Sequence, residues 1–198
     1  MIIGLTGNMG TGKTTVARFL RSKGALIIDA DQLAREVVAP GRPAYEDIVA
    51  FFGKEILNQN KEIDRKVLGK IVFGDAPKRE QLEKFIHPRI INRMNTIIEK
   101  QGKETVIVID APLLIEAGLH KRVDKVWVTD CSKSTQADRI KKRDGLSDKE
   151  IEKRLSSQMS SEEKLSYADL VIDTNGSKQM VQKYLDEVWD KQVLGKIY

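Results

Sequence analysis

Near the amino end, Gly7-Asn8-Met9-Gly10-Thr11-Gly12-Lys13-Thr14 fits the spacing Gly-x4-Gly-Lys-Thr at every position, and it follows the apolar run Met1-Ile2-Ile3-Gly4-Leu5-Thr6, which reads as a buried strand. A strand-to-helix turn of this composition gathers several backbone N–H groups in one concavity at the positive end of the next helix, where they bind the oxygens of a phosphate chain. Gly7 and Gly12 suit it because a Cβ there would hold the backbone off the phosphate or forbid the turn. Lys13 supplies a point charge for β- and γ-phosphates, and the Thr14 hydroxyl is placed to ligate Mg²⁺. A glycine-rich turn that binds nothing would have no need of the strand, the spacing, the lysine and the threonine together.

A phosphate chain held this way needs a partner reaction, and carboxylates at strand ends are the candidates. Asp29 and Asp31 follow the apolar run Ala25–Ile28, and strand alternation would aim both to one side with Ala30 on the other. A hydroxyl that accepts a phosphoryl group needs a carboxylate in hydrogen-bond reach to orient it and take its proton. Asp31, nearer the loop, fits that task, and Asp29 fits a role on metal-bound water or in positioning its neighbour. Capping a helix that begins at Gln32 is the alternative for either aspartate. Asp110 follows the run Val106–Ile109 at the place of a Walker-B metal aspartate, with a plain turn role as the alternative. Arg139 and Arg143 are four residues apart and share a helical face, so they could clamp phosphate bidentately from a mobile lid that excludes water, or be an ordinary solvated face. His87 is open between packing and catalysis.

These residues must be positioned by alternating strands and helices. Strands are predicted at 1–6, 25–28, 105–109, 125–129 and 169–172, each near-continuously apolar, with helical segments between them. That pattern predicts an α/β protein with a five-stranded parallel sheet covered by helices on both faces, and ligands of such sheets bind beyond the carboxyl ends of the strands. Helices are predicted over 13–23, stopping at Gly24; over 64–73; from Lys78 with Leu82, Phe85, Ile86, Ile90, Met94 and Ile97 at the 3.6 period; and over 177–192. Pro88 predicts a kink or break near His87. A capping box is read at Ser147–Glu150.

With 198 residues, 40% hydrophobic and 32% charged, the chain can bury a core without staples. It has neither an apolar run of the roughly 20 residues that cross a bilayer nor a readable secretory signal, so a cytoplasmic location is expected. Cys131, the single cysteine, excludes an internal disulfide and a cysteine metal cluster. The net charge of +5, 34 Lys+Arg against 29 Asp+Glu, is spread among acids and lacks interleaved aromatics, so a polyanionic small molecule rather than nucleic acid is the expected partner.

Taken together, the residues resemble the dephospho-coenzyme A kinase family of the P-loop, nucleoside-monophosphate-kinase-like group. The resemblance runs the length of the chain: Gly4-Leu5-Thr6-Gly7 with Gly10–Thr15; Ile28-Asp29-Ala30-Asp31 with Ala34-Arg35; Val38–Gly41; Phe52-Gly53 with Ile56-Leu57; Asp64-Arg65; Leu82-Glu83 with Ile86-His87-Pro88; Ala111–Glu116; Gln136 with Arg139 and Arg143; Arg154 with Gln158; and Ala168-Asp169 with Asn175-Gly176. The family loop usually begins Gly-Gly-Ile where this chain has Gly7-Asn8-Met9, a change that keeps the backbone donors. The resemblance implies transfer of the γ-phosphoryl of ATP, with Mg²⁺, to the ribose 3′-hydroxyl of dephospho-coenzyme A, the last step of coenzyme A synthesis.

It further implies a core of residues 1–39, 102–131 and 168–198, a helical acceptor-binding region over 40–101 and a lid over 132–167. By position, Asp31 is the implied base; Gly10, Thr11, Gly12, Lys13, Thr14 and Thr15 bind ATP; Arg139 and Arg143 are lid arginines; and Asn175 and Gly176 lie near adenine. Arg35, His87, Pro88, Leu113, Leu114 and Glu116 are implied on the acceptor side. A signalling GTPase is excluded by the lack of an Asn-Lys-x-Asp motif, since Asn60-Lys61-Glu62-Ile63 fails at its last position.

Overall fold

The computed structural model describes residues 1–195. They form two compact units, Met1–Ile28 with the chain from Lys103 onward, and Asp29–Gly102.

The first unit is built on a five-stranded sheet in the order β2-β3-β1-β4-β5, with β1 at Ile2–Thr6, β2 at Leu26–Asp29, β3 at Ile107–Asp110, β4 at Lys125–Asp130 and β5 at Leu170–Asp173. The ladders run parallel, with Leu5 opposite Asp110 and Trp127, and Thr129 opposite Ile172. Parallel strands buried on both faces need apolar residues at successive positions, which Ile107-Val108-Ile109 and Val126-Trp127-Val128 supply, all of them buried. Against the sheet pack α1 (Lys13–Ser22) through Val16, Phe19 and Leu20, and α9 (Lys178–Val188) through Val181, Leu185 and Val188. Trp127 and Trp189 belong to this same core. Glycine at position 4 of the central strand lets Leu114 approach: a Cβ there would lie 2.6 Å from the leucine Cδ2.

Helix ends follow local chemistry. Ser132 caps α6 (Lys133–Asp144) by accepting from the Thr135 N–H, and Ser177 caps α9 through the Met180 N–H. Reciprocal capping boxes open α7 (Asp148–Leu155) at Ser147 and Glu150, as predicted, and α8 (Ser161–Leu165) at Ser160 and Glu163. The predicted last helix is shorter than 177–192, because its end widens into a π turn at Trp189–Val193.

The second unit holds α2 (Ala30–Glu36), α3 (Pro43–Phe52), α4 (Arg65–Val72) and α5 (Ala76–Glu99). Ala44, Ile48, Phe52, Ile56 and Leu68 form its core, with Leu82, Phe85 and Ile86 packed on it. Asp64 caps α4 and Asp75 caps α5. Of the kink or break predicted near His87, a break does not occur, since α5 continues through Pro88. Arg89, one residue on, reaches back to the Phe85 carbonyl at 2.7 Å and across to Asp47 of α3 at 2.5 Å, tying that stretch of helix to its neighbour. Among the described residues no helix is long and apolar enough to cross a membrane.

Candidate active site

β1 ends at Thr6 and α1 begins at Lys13, so the glycine-rich turn lies at the carboxyl edge of the sheet beside its central strand. Gly12 is the N-cap residue of α1 at φ 85°, in the left-handed region, and a Cβ there would meet Thr174 at 3.2 Å. Gly12→Ala is expected to lower stability by about 1–2 kcal/mol, the cost of a side chain in that conformation; denaturant unfolding checks it, and an unchanged midpoint would contradict the strain.

Two of the loop's own N–H groups are already engaged: Met9 donates to Gln158 Oε1 at 3.0 Å and Thr11 to the Asn8 carbonyl at 3.2 Å. The N–H groups of Gly10, Gly12, Lys13 and Thr14 have no acceptor among the described residues. Unpaired donors at a helix start are an anion site in waiting. They adjoin a cavity of about 530 Å³ lined by Gly7–Gly10, Gly12–Thr15, Pro112, Arg139, Arg143 and Gln158. Lys13 reaches over this loop to an ion pair with Asp110 at the end of β3, while Thr14 is exposed.

Not every loop residue faces the cavity. Thr11 is buried, and its hydroxyl is committed to the Asn8 carbonyl and Thr129, both at 2.8 Å. Arg139 is anchored, donating to Thr174 Oγ1 at 2.9 Å and to the Thr174 carbonyl at 2.5 Å. Arg143 forms a two-bond pair with Asp144, both bonds 2.8 Å, which raises the arginine pKa and lowers that of the aspartate. That pair is exposed, so an incoming phosphate can displace it at little cost. A second cavity, about 260 Å³, shares Gly12, Thr15 and Arg139 with the first and adds Thr174, Gly176, Lys178 and Val181. Asn175 stands beside it, its Oδ1 accepting from the Ser132 N–H at 2.9 Å. Burial pushes the Cys131 thiol up, away from reactivity.

On the segment after β3, Leu113 is exposed and Leu114 wholly buried, whereas Glu116 is ion-paired with Lys164. Asp29, Asp31, Arg35, His87 and Pro88 all belong to the second unit. There the strand alternation expected of Asp29–Asp31 fails, because the chain turns helical at Ala30. Asp29 is the cap, accepting from the Gln32 N–H at 3.0 Å. Asp31 is therefore a first-turn residue of α2, exposed, and its side chain has no hydrogen bond or ion pair to any described residue. His87 and Pro88 are exposed on α5 and Arg35 on α2.

Sequence reading missed the side chains that grip the loop from afar. Gln136 donates to the Met9 carbonyl at 2.7 Å, and Asn8 donates to the Met159 carbonyl at 3.1 Å and to Ser161 Oγ at 3.3 Å. The only signal for them was the pairing of Gln136 and Gln158 with nearby arginines in the family pattern.

A parallel 2-3-1-4-5 sheet with an amide-lined loop after its central strand, a lysine above it and arginines from the helix after β4 defines a P-loop kinase. The family profile described as "Dephospho-CoA kinase" matches residues 1–180. A dephospho-CoA kinase of Geobacter sulfurreducens is 46% identical over 193 residues, covering 96% of this chain and 98% of the relative. Among solved structures, a Thermus thermophilus protein superposes with a TM-score of 0.84 at 30% identity, covering 96% and 97% of the two chains. A dephospho-CoA kinase of Campylobacter jejuni superposes with a TM-score of 0.72 at 30% identity, covering 99% and 98%. The chain belongs to the dephospho-CoA kinase family and is a phosphotransferase.

Proposed function

We propose that this kinase transfers the γ-phosphoryl group of ATP to the ribose 3′-hydroxyl of dephospho-coenzyme A, giving coenzyme A in the cytoplasm, and that its residues divide the work as follows. The free N–H groups of Gly10, Gly12, Lys13 and Thr14 bind the phosphate chain. Lys13 exchanges Asp110 for the β- and γ-oxygens, and Thr15, Asn175 and Gly176 border the nucleoside. Asp31 orients the acceptor hydroxyl and takes its proton as the bond to phosphorus forms. Arg143, released from Asp144, and Arg139 neutralise charge that spreads over the transferring group. Arg35, His87, Pro88 and the loop carrying Leu113, Leu114 and Glu116 shape the acceptor side, Leu114 and Glu116 from behind. Closure of the arginine-bearing segment excludes water, which would otherwise accept the phosphoryl group.

The donor set also fits Mg²⁺, a hard cation that keeps several waters and takes one or two carboxylates together with substrate phosphates. The Thr14 hydroxyl and the Asp110 carboxylate would hold it, with Asp29 the further candidate. When bound, it neutralises charge on the phosphate oxygens.

The observation that carries this reading is the set of unpaired amides beside Lys13. Incubating the protein with ATP, Mg²⁺ and dephospho-coenzyme A should yield coenzyme A and ADP in equal amounts. Turnover seen only with DNA or RNA, or none with the acceptor, would contradict it.

A further inference from the structure

Among the described residues, one lysine is buried: Lys164 on α8, 1% exposed. Its ammonium donates to the Pro112 carbonyl at 2.6 Å and to Glu116 Oε2 at 3.2 Å, and forms an ion pair with Glu116 Oε1 at 2.9 Å. The charge is thus paired with a carboxylate and hydrogen-bonded to a carbonyl, as a buried ammonium requires. Stability alone gives no reason for the cluster, since apolar residues of similar volume commonly replace a buried pair without loss. What it does fix is position. The Pro112 carbonyl also accepts from Thr6 Oγ1 at 3.1 Å. Thr6 ends β1 immediately before the phosphate loop, and Pro112 lies two residues past Asp110, the partner of Lys13. One carbonyl thus joins the two strand ends that carry the loop and its lysine's partner, and Pro112 itself lines the phosphate cavity.

We infer that Lys164 is a positioning residue for phosphoryl transfer: it holds the Pro112 wall of the phosphate cavity, and through it the spacing of Gly7 and Asp110, without touching a substrate. What that wall does rests on the kinase function proposed above. A displacement of about 1 Å remote from the chemistry can lower a rate by about 10²-fold.

Two substitutions separate position from charge. Lys164→Met removes every donor, whereas Lys164→Gln keeps an N–H for Pro112; both leave Glu116 without a cation. Unfolding midpoints are therefore expected to fall similarly for both, while kcat, measured well below the midpoints, falls by up to roughly 10²-fold in K164M and by clearly less in K164Q, with KM for ATP moving much less than kcat. Thr6→Val, which removes the other donor to the same carbonyl, should lower kcat in the same direction and combine non-additively with K164Q, and it serves if the Lys164 variants do not fold. Equal kcat in wild type, K164Q, K164M and T6V, or losses in K164Q and K164M that simply follow their midpoints, would overturn the role of Lys164. Absence of coenzyme A formation by the wild type would overturn the activity and this role with it.

Discussion

Asp31→Asn is expected to lower turnover by roughly 10²-fold or more with little change in ATP affinity, because base catalysis by a positioned side chain contributes at that level. The structure sharpens the expectation. Asp29 holds the start of α2 through the Gln32 N–H, so helix capping is not available as a role for Asp31. Asp31 is exposed and its side chain has no partner in the described chain, so asparagine, of the same shape, should leave the fold intact. A steady-state comparison of kcat and of ATP binding checks this. Near-normal turnover would move the task to another carboxylate, and a large loss of ATP binding would show that the side chain does something other than accept a proton.

Lys13→Ala should impair both binding and rate, with kcat lower by about 10²–10³-fold, the effect of removing one preorganised donor from a site where charge develops. Lys13 spans the loop to Asp110 in the free protein. Removing it takes a positive charge from the cradle and leaves the Asp110 carboxylate facing incoming phosphate unpaired. Two losses of the same sign therefore add at the nucleotide: attraction is lost and repulsion gained. Titration with an ATP analogue and single-turnover measurement separate affinity from chemistry, and an unaltered enzyme would contradict the role of the loop lysine.

The phosphate loop was legible because its requirements are local. Glycine at left-handed φ, the donors and the lysine all lie within one turn of chain, and the apolar strands around them follow from burial on both sheet faces. Period alone failed at Asp29–Asp31, where the chain passes from strand to helix in one residue and the face assignments change with it. Near His87 it left a kink or a break open, and there is no break: α5 runs on through Pro88, with Arg89 bonded to both its own helix and α3. The π turn after Val188 has no sequence signature of its own. Least legible were the ties between distant residues. Asn8 and Met159 are 151 positions apart, and Lys164 reaches Pro112 across 52. Nothing in a charge-rich segment distinguishes the one lysine that is buried from its solvated neighbours.

The most direct test is the structure of the protein with a non-hydrolysable ATP analogue, Mg²⁺ and dephospho-coenzyme A. Phosphate oxygens should accept from the N–H groups of Gly10, Gly12, Lys13 and Thr14, with the ribose 3′-hydroxyl within hydrogen-bond reach of Asp31 and in line with the γ-phosphorus. A triphosphate seated away from this loop, or a 3′-hydroxyl facing Asp29 or Asp110 instead, would contradict the assignment.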